Sequence, residues 1–209
     1  KYYILNTIYL ILFNMLFGAH VSVAGGIQNA PINASTIGCE IFQIFTRSPQ
    51  GGNVPELNDR NIKEFLENCK KYKQKEWYVH TPFFINFASA NPRIKHASIS
   101  VVREELERAN LIKAKYLMTH LGSYKDLGKE KGFLQVVDSL DKMLSGYKGE
   151  TKFLIEISAG SGEIIGDTFE EIAEIIKHPK LKKYDIGVCF DTRHAFASGY
   201  DLRDEKAVK

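Results

Sequence analysis

The chain has 209 residues, 44% of them hydrophobic and 25% charged, with a net charge of +3. That profile excludes a disordered tail and a bundle of membrane spans, and it is too mildly basic to mark a nucleic-acid-binding protein by charge alone. Cys39, Cys69 and Cys189 form no CxxC pair, which excludes a zinc finger and a disulfide framework and fits free thiols in a reducing compartment.

The first segment, KYYILNTIYLILFNMLF, is strongly apolar but shorter than the roughly 18–20 apolar residues of a spanning helix. Met15 stands just before the patterned region, so residues 1–15 are expected to lie outside the fold, with 1–14 upstream sequence translated in error. A membrane anchor is the competing expectation. Leu16–Ser22 reads as a first strand, and Gly25-Gly26 opens a helix towards Thr36. Cys39–Phe45 is a compact apolar strand of the buried parallel type. Asn58 or Asp59 caps a helix through Tyr72, with Ile62, Phe65, Leu66 and Cys69 at helical spacing. A third strand ends at His80. A helix over Arg93–Lys113 turns Val101, Val102, Leu106, Ala109 and Ile112 inward. A fourth strand ends at His120, a helix covers Lys129–Leu144, and a fifth strand reaches Glu156. Asp167 or Thr168 caps a helix through Ile176, and a sixth strand ends at Asp191.

Six βα units in strict alternation imply a parallel sheet. At roughly 30 residues per unit they make about six of the eight units of a TIM (β/α)8 barrel. The expected organisation is an incomplete barrel over residues 16–209. An open doubly wound sheet is disfavoured, since no glycine-rich dinucleotide turn follows the first strand.

His80, His120, Glu156 and Asp191 fall 40, 36 and 35 residues apart, each at the carboxyl end of an apolar run. In a parallel barrel all four reach the face that carries chemistry. Two imidazoles and a carboxylate with an open position suit a catalytic zinc ion, and a bridging Glu156 would let Asp191 take a second. Taken alone, His194 reads as a structural or supporting histidine and His20 as a hydrogen-bonding one. His96 and His178 read as exposed. The lysine runs Lys70–Lys73 and Lys180–Lys183 read as solvated helix carboxyl ends.

The segments GAHVSVAGG (Gly18–Gly26), FTRSPQ (Phe45–Gln50), HTPFFINFAS (His80–Ser89), THLGS (Thr119–Ser123), EISAGSG (Glu156–Gly162) and CFDTRHAFASGYDLR (Cys189–Arg203) together resemble endonuclease IV, the zinc-dependent apurinic/apyrimidinic endonuclease family. The resemblance implies a xylose-isomerase-like TIM barrel with three zinc ions. It would hydrolyse double-stranded DNA 5′ to an abasic nucleotide, leaving a 3′-hydroxyl and a 5′ deoxyribose phosphate. It implies His80, His120 and bridging, catalytic Glu156 around one zinc, Glu156 and Asp191 at a second, and His194 at a third. The family's other ligands come from later strands, so the 209-residue chain is expected to be inactive alone. Gln50, Phe83 and Phe84 would contact DNA, from loops 46–53 and 82–87. The chain departs from the family at Gln50 (often arginine), Phe83 (often tyrosine) and Ile157 (usually asparagine). A cytoplasmic monomer without membrane contact is expected. A metal-dependent sugar isomerase or epimerase on a related barrel is the competing activity, and a non-catalytic binding module the third.

Overall fold

The computed structural model describes residues 15–208. The segment expected to precede the fold lies outside them, except for Met15. Among the described residues no helix is long and apolar enough to cross a membrane. The chain divides into two compact units. One comprises the described residues through Ile44 together with Asn58–Trp77, the other Phe45–Leu57 together with Tyr78 onwards.

In the first unit β1 (Gly18–His20) pairs in parallel with β2 (Ile41–Ile44), Ala19 opposite Phe42. A short 3-10 turn, Ile27–Asn29, leads into α1 (Ala30–Thr36), where Pro31 occupies the first turn and needs no backbone donor. The helix α2 (Asp59–Lys71) is capped by the Asn58 side chain, which accepts from the Asn61 amide at 2.9 Å. Its apolar stripe buries Phe65 and Cys69, and Phe65 meets the rings of Phe42 and Trp77 edge-on at 6.1 and 5.5 Å. Ile62 and Leu66, expected on the same stripe, are half-buried at its margin.

In the second unit β4 (Tyr116–Thr119), β5 (Lys152–Glu156) and β6 (Ile186–Cys189) follow β3 (Glu76–His80), each parallel to the one before it. Between them run α3 (Pro92–Leu111), α4 (Lys129–Leu144) and α5 (Phe169–Lys177). Val79, Leu117, Met118, Phe153 and Ile155 are buried on the strands, as are Val102, Leu106, Val136, Leu140, Ile172 and Ile175 on the helices. Parallel strands covered by helices read as near-continuous apolar runs, which is why their extents are legible in the sequence.

Several expectations need correction. The sixth strand stops at Cys189, and Asp191 is instead the N-cap of a short helix, α6 (Thr192–Ala197), its Oδ1 accepting from the His194 amide at 2.8 Å. A carboxylate beyond an apolar run suits a cap as well as a strand end. A last short helix, α7 (Glu205–Val208), follows where the sequence pattern predicts no element. The first strand is three residues, not seven, because only Gly18–His20 pair. His178 is half-buried at the end of α5, where its Nδ1 accepts from the Lys180 amide at 3.3 Å. Lys180–Lys183 lie past α5 in a turn, where Lys180 and Lys183 pair with Asp138 and Asp141 of α4 at 2.5 and 2.9 Å.

Candidate metal centre and its cleft

The strand ends of the second unit bring five expected ligands together. His80 closes β3, His120 follows β4, Glu156 closes β5, and Asp191 and His194 sit at the start of α6. His80, His120 and Glu156 each offer a donor atom within 4.8 Å of the others, and so do Glu156, Asp191 and His194. Glu156 is common to both groups. Its Oε2 lies 2.9 Å from His80 Nε2 and 3.8 Å from His120 Nε2, and its Oε1 lies 3.6 Å from His194 Nδ1. His194 Nδ1 is 3.7 Å from Asp191 Oδ2. His194, unremarkable as a lone residue in the sequence, is therefore part of the constellation.

The hydrogen bonds around the imidazoles test whether a cation fits. The carbonyl oxygen of Thr81 only accepts, so His80 Nδ1–H donates to it at 2.6 Å. Neutral His80 then turns its bare Nε2 towards Glu156 Oε2, 2.9 Å away. Two electron pairs at that distance repel, and a proton or a metal ion satisfies both. His194 Nδ1 donates to the Ile157 carbonyl at 3.0 Å, and His120 Nδ1 lies 3.3 Å from Ser158 Oγ. Such outer partners fix ring orientation in metal sites. Burial pushes the His120 imidazole below its ordinary value, which favours the neutral form that a metal needs. Burial likewise raises the Cys189 thiol to about 12, so it stays protonated beside the carboxylates. The donor set of imidazoles and carboxylates fits zinc.

Other supporting residues had no signal of their own in the sequence. Thr81 Oγ1 donates to Thr119 Oγ1 at 2.6 Å, and Thr119 Oγ1 donates to the His120 carbonyl at 3.0 Å, behind the two histidines. Both threonines lie inside the quoted HTPFF and THLGS segments. Asn86 Oδ1 accepts from the amides of Ala88 and Ser123 at 3.0 and 3.1 Å. Gly122 between these loops has φ +99°, and a Cβ there would lie 2.3 Å from Asn86 Oδ1, so only glycine fits.

Beside the ligands opens a cleft of about 410 Å3, lined by Phe83, Phe84, Asn86, His120, Ser158 and His194 among others. Phe83 and Phe84 are exposed, 67% and 43%, large for aromatic side chains next to a polar site. Phe45 backs them: its ring lies edge-on to His80 at 5.5 Å and to Phe83 at 5.3 Å. Gln50 is exposed on the loop before α2. His20 is exposed at the end of β1, its Nδ1–H donating to Gln43 Oε1 at 2.8 Å, and His96 is exposed on α3. A second cleft of about 340 Å3, lined by Tyr147, Lys152 and Tyr184, lies where β5 and β6 begin and includes none of these ligands.

Residues 32–209 match the family model of the xylose isomerase-like TIM barrel. The chain is 37% identical over 196 residues to a probable endonuclease 4 of Halothermothrix orenii, covering 93% of this chain and 70% of that protein. It is 37% identical to the one from Clostridium botulinum, covering 90% and 67%. It thus spans about two thirds of the length of these relatives. Among solved structures, endonuclease IV from Thermus thermophilus superposes with a TM-score of 0.80 at 28% identity, over 92% of this chain and 68% of that one. A D-tagatose 3-epimerase-like protein superposes with a TM-score of 0.69 at 22% identity, over 89% and 68%, a likeness of fold alone. The chain belongs to the endonuclease IV family of xylose isomerase-like TIM barrels.

Proposed function

We propose that the protein containing this chain is a zinc-dependent endonuclease that hydrolyses double-stranded DNA 5′ to abasic sites, leaving a 3′-hydroxyl and a 5′ deoxyribose phosphate. The observation that carries this reading is the single Glu156 carboxylate common to both donor groups, His80 with His120 and Asp191 with His194. A carboxylate so placed suits a site in which two metal ions stand close together, the arrangement of many phosphodiester hydrolases. His80, His120 and Glu156 would hold one zinc, Glu156 and Asp191 would share a second, and His194 would contribute to a third. Zinc there supplies Lewis acidity at a phosphoryl group and acidifies water.

The chain's own residues do the rest. Thr81 and Ser158 orient the imidazoles from behind. The exposed rings of Phe83 and Phe84 offer apolar wedges for a base stack, and Gln50 a polar tip. An abasic nucleotide leaves the stack at lower cost than an intact one, which favours entry of the bare sugar into the cleft beside His120 and His194.

The test is a duplex carrying one tetrahydrofuran site, incubated with the zinc-loaded gene product that contains this chain, with the products sized. A single cut 5′ to the lesion, lost in chelator and restored by zinc, is expected. Intact DNA together with epimerisation of a ketose would overturn the reading.

A further inference from the structure

Arginine in the segment FTRSPQ invites assignment as a phosphate contact, since it stands three residues before Gln50 on the DNA-facing loop. The structure buries it. The Arg47 side chain is 7% exposed, and Glu105 on α3 is fully buried beneath it. Arg47 Nε donates to Glu105 Oε1 at 2.6 Å, and its Nη2 lies 2.9 Å from Glu104 Oε2. Thr46 Oγ1 donates to Glu105 Oε2 at 2.5 Å. One turn along the helix, Arg108 Nε donates to Thr46 Oγ1 at 3.0 Å. Its Nη2 donates to the carbonyls of Thr46 at 2.8 Å and Pro55 at 2.9 Å. Two arginines and two glutamates thus balance, and α3 grips the loop at both of its roots. Between the roots the loop is exposed and carries Gly51 and Gly52 at φ +98° and +101°, a tip with little stiffness of its own. The braced end reaches the wedge: the Phe83 amide donates to the Pro49 carbonyl at 3.1 Å, and Phe45 packs on Phe83.

We propose that Arg47 and Glu105 are positioning residues which hold loop 46–55 and, through Pro49, the Phe83 wedge in the geometry that engages DNA, and that Arg47 makes no phosphate contact. The inference rests on the reading of this loop as DNA-facing. A buried charge stripped of its partner is costly, so the brace acts as a unit. Arginine spans two carboxylates with its fork and lysine does not, so Arg47→Lys keeps the charge and breaks the brace.

The experiment uses the zinc-loaded gene product that contains this chain, as wild type and with Arg47→Lys and Arg47→Met. Equilibrium binding to a duplex with one tetrahydrofuran site is measured over a salt series, alongside zinc stoichiometry and hydrogen exchange at the Phe83 amide. For Arg47→Lys the expected result is binding weakened about tenfold, an unchanged salt slope, unchanged zinc stoichiometry and faster exchange at Phe83. Wild-type affinity in Arg47→Lys overturns the proposal. So does an Arg47→Met salt slope lower by about 0.9, the signature of one lost phosphate contact. If the wild-type protein does not prefer the abasic duplex, the proposed function fails. The brace is then judged by exchange alone, and unaltered protection of the Phe83 amide in both variants overturns it.

Discussion

Burial depresses the His120 imidazole, and the neighbouring His80 and His194 rings act in the same direction against the pull of Glu156 and Asp191. The sign of the consequence follows from linkage. The folded value lies below the ordinary 6.5, so the unfolded chain binds more protons as pH falls through that range. The metal-free chain should therefore lose stability between the ordinary imidazole value and the lowered folded one, and regain it as pH rises. Denaturant midpoints compared at about pH 7.5 and about pH 5.5 check this. The fall should be smaller in His120→Gln, which removes the titrating group. An equal fall in both proteins would take His120 out of the account. At Cys69 burial raises the thiol to about 12, so in the folded chain it should resist alkylation until denaturant is added. Mass spectrometry of the modified residues reads the outcome directly.

At the scale of elements, Asp191 has two separable tasks, capping α6 through Oδ1 and facing His194 with Oδ2. Asparagine caps nearly as well as aspartate but lacks the charge. Asp191→Asn should keep the stability of the metal-free chain and weaken binding of a second metal equivalent. Asp191→Ala should weaken that binding equally and cost about 1 kcal/mol more in metal-free stability. Thermal unfolding and metal titration of the two variants separate the tasks. If they behave alike in both measurements, the cap contributes nothing. The buried strands β4 and β5 were legible because a run of apolar residues ending in a histidine or glutamate has few other readings. The helix α4 was legible from its apolar period and breaks in the flanking sequence. The pairing of Asp191 with α6 was not, since a carboxylate past an apolar run fits a strand end or a cap until its hydrogen bond is seen. Nor was the burial of Arg47, a loop residue, because its partners lie 57 to 58 residues away on a helix.

For the whole molecule, the ligands His80, His120, Glu156, Asp191 and His194 come from the ends of three strands and the start of one helix, so their order along the chain carried the site and their convergence needed the fold. The supporting contacts of Thr81, Thr119, Ser158 and Asn86 depend on side-chain geometry that spacing does not encode. A ligand that binds only the folded chain stabilises it by mass action, about 4 kcal/mol at a thousandfold excess over Kd. Zinc should accordingly raise the unfolding temperature of the chain in a concentration-dependent way, and chelator should reverse the rise. The most direct test of the shared centre is cobalt(II) titration of wild-type chain and Glu156→Gln, followed by the visible d–d absorption of the metal. The account predicts a saturable absorption in the wild type that is lost or weakened at least tenfold in affinity in Glu156→Gln, for every bound equivalent, because both donor groups lose the same carboxylate. Unchanged affinity and spectrum in Glu156→Gln would contradict it.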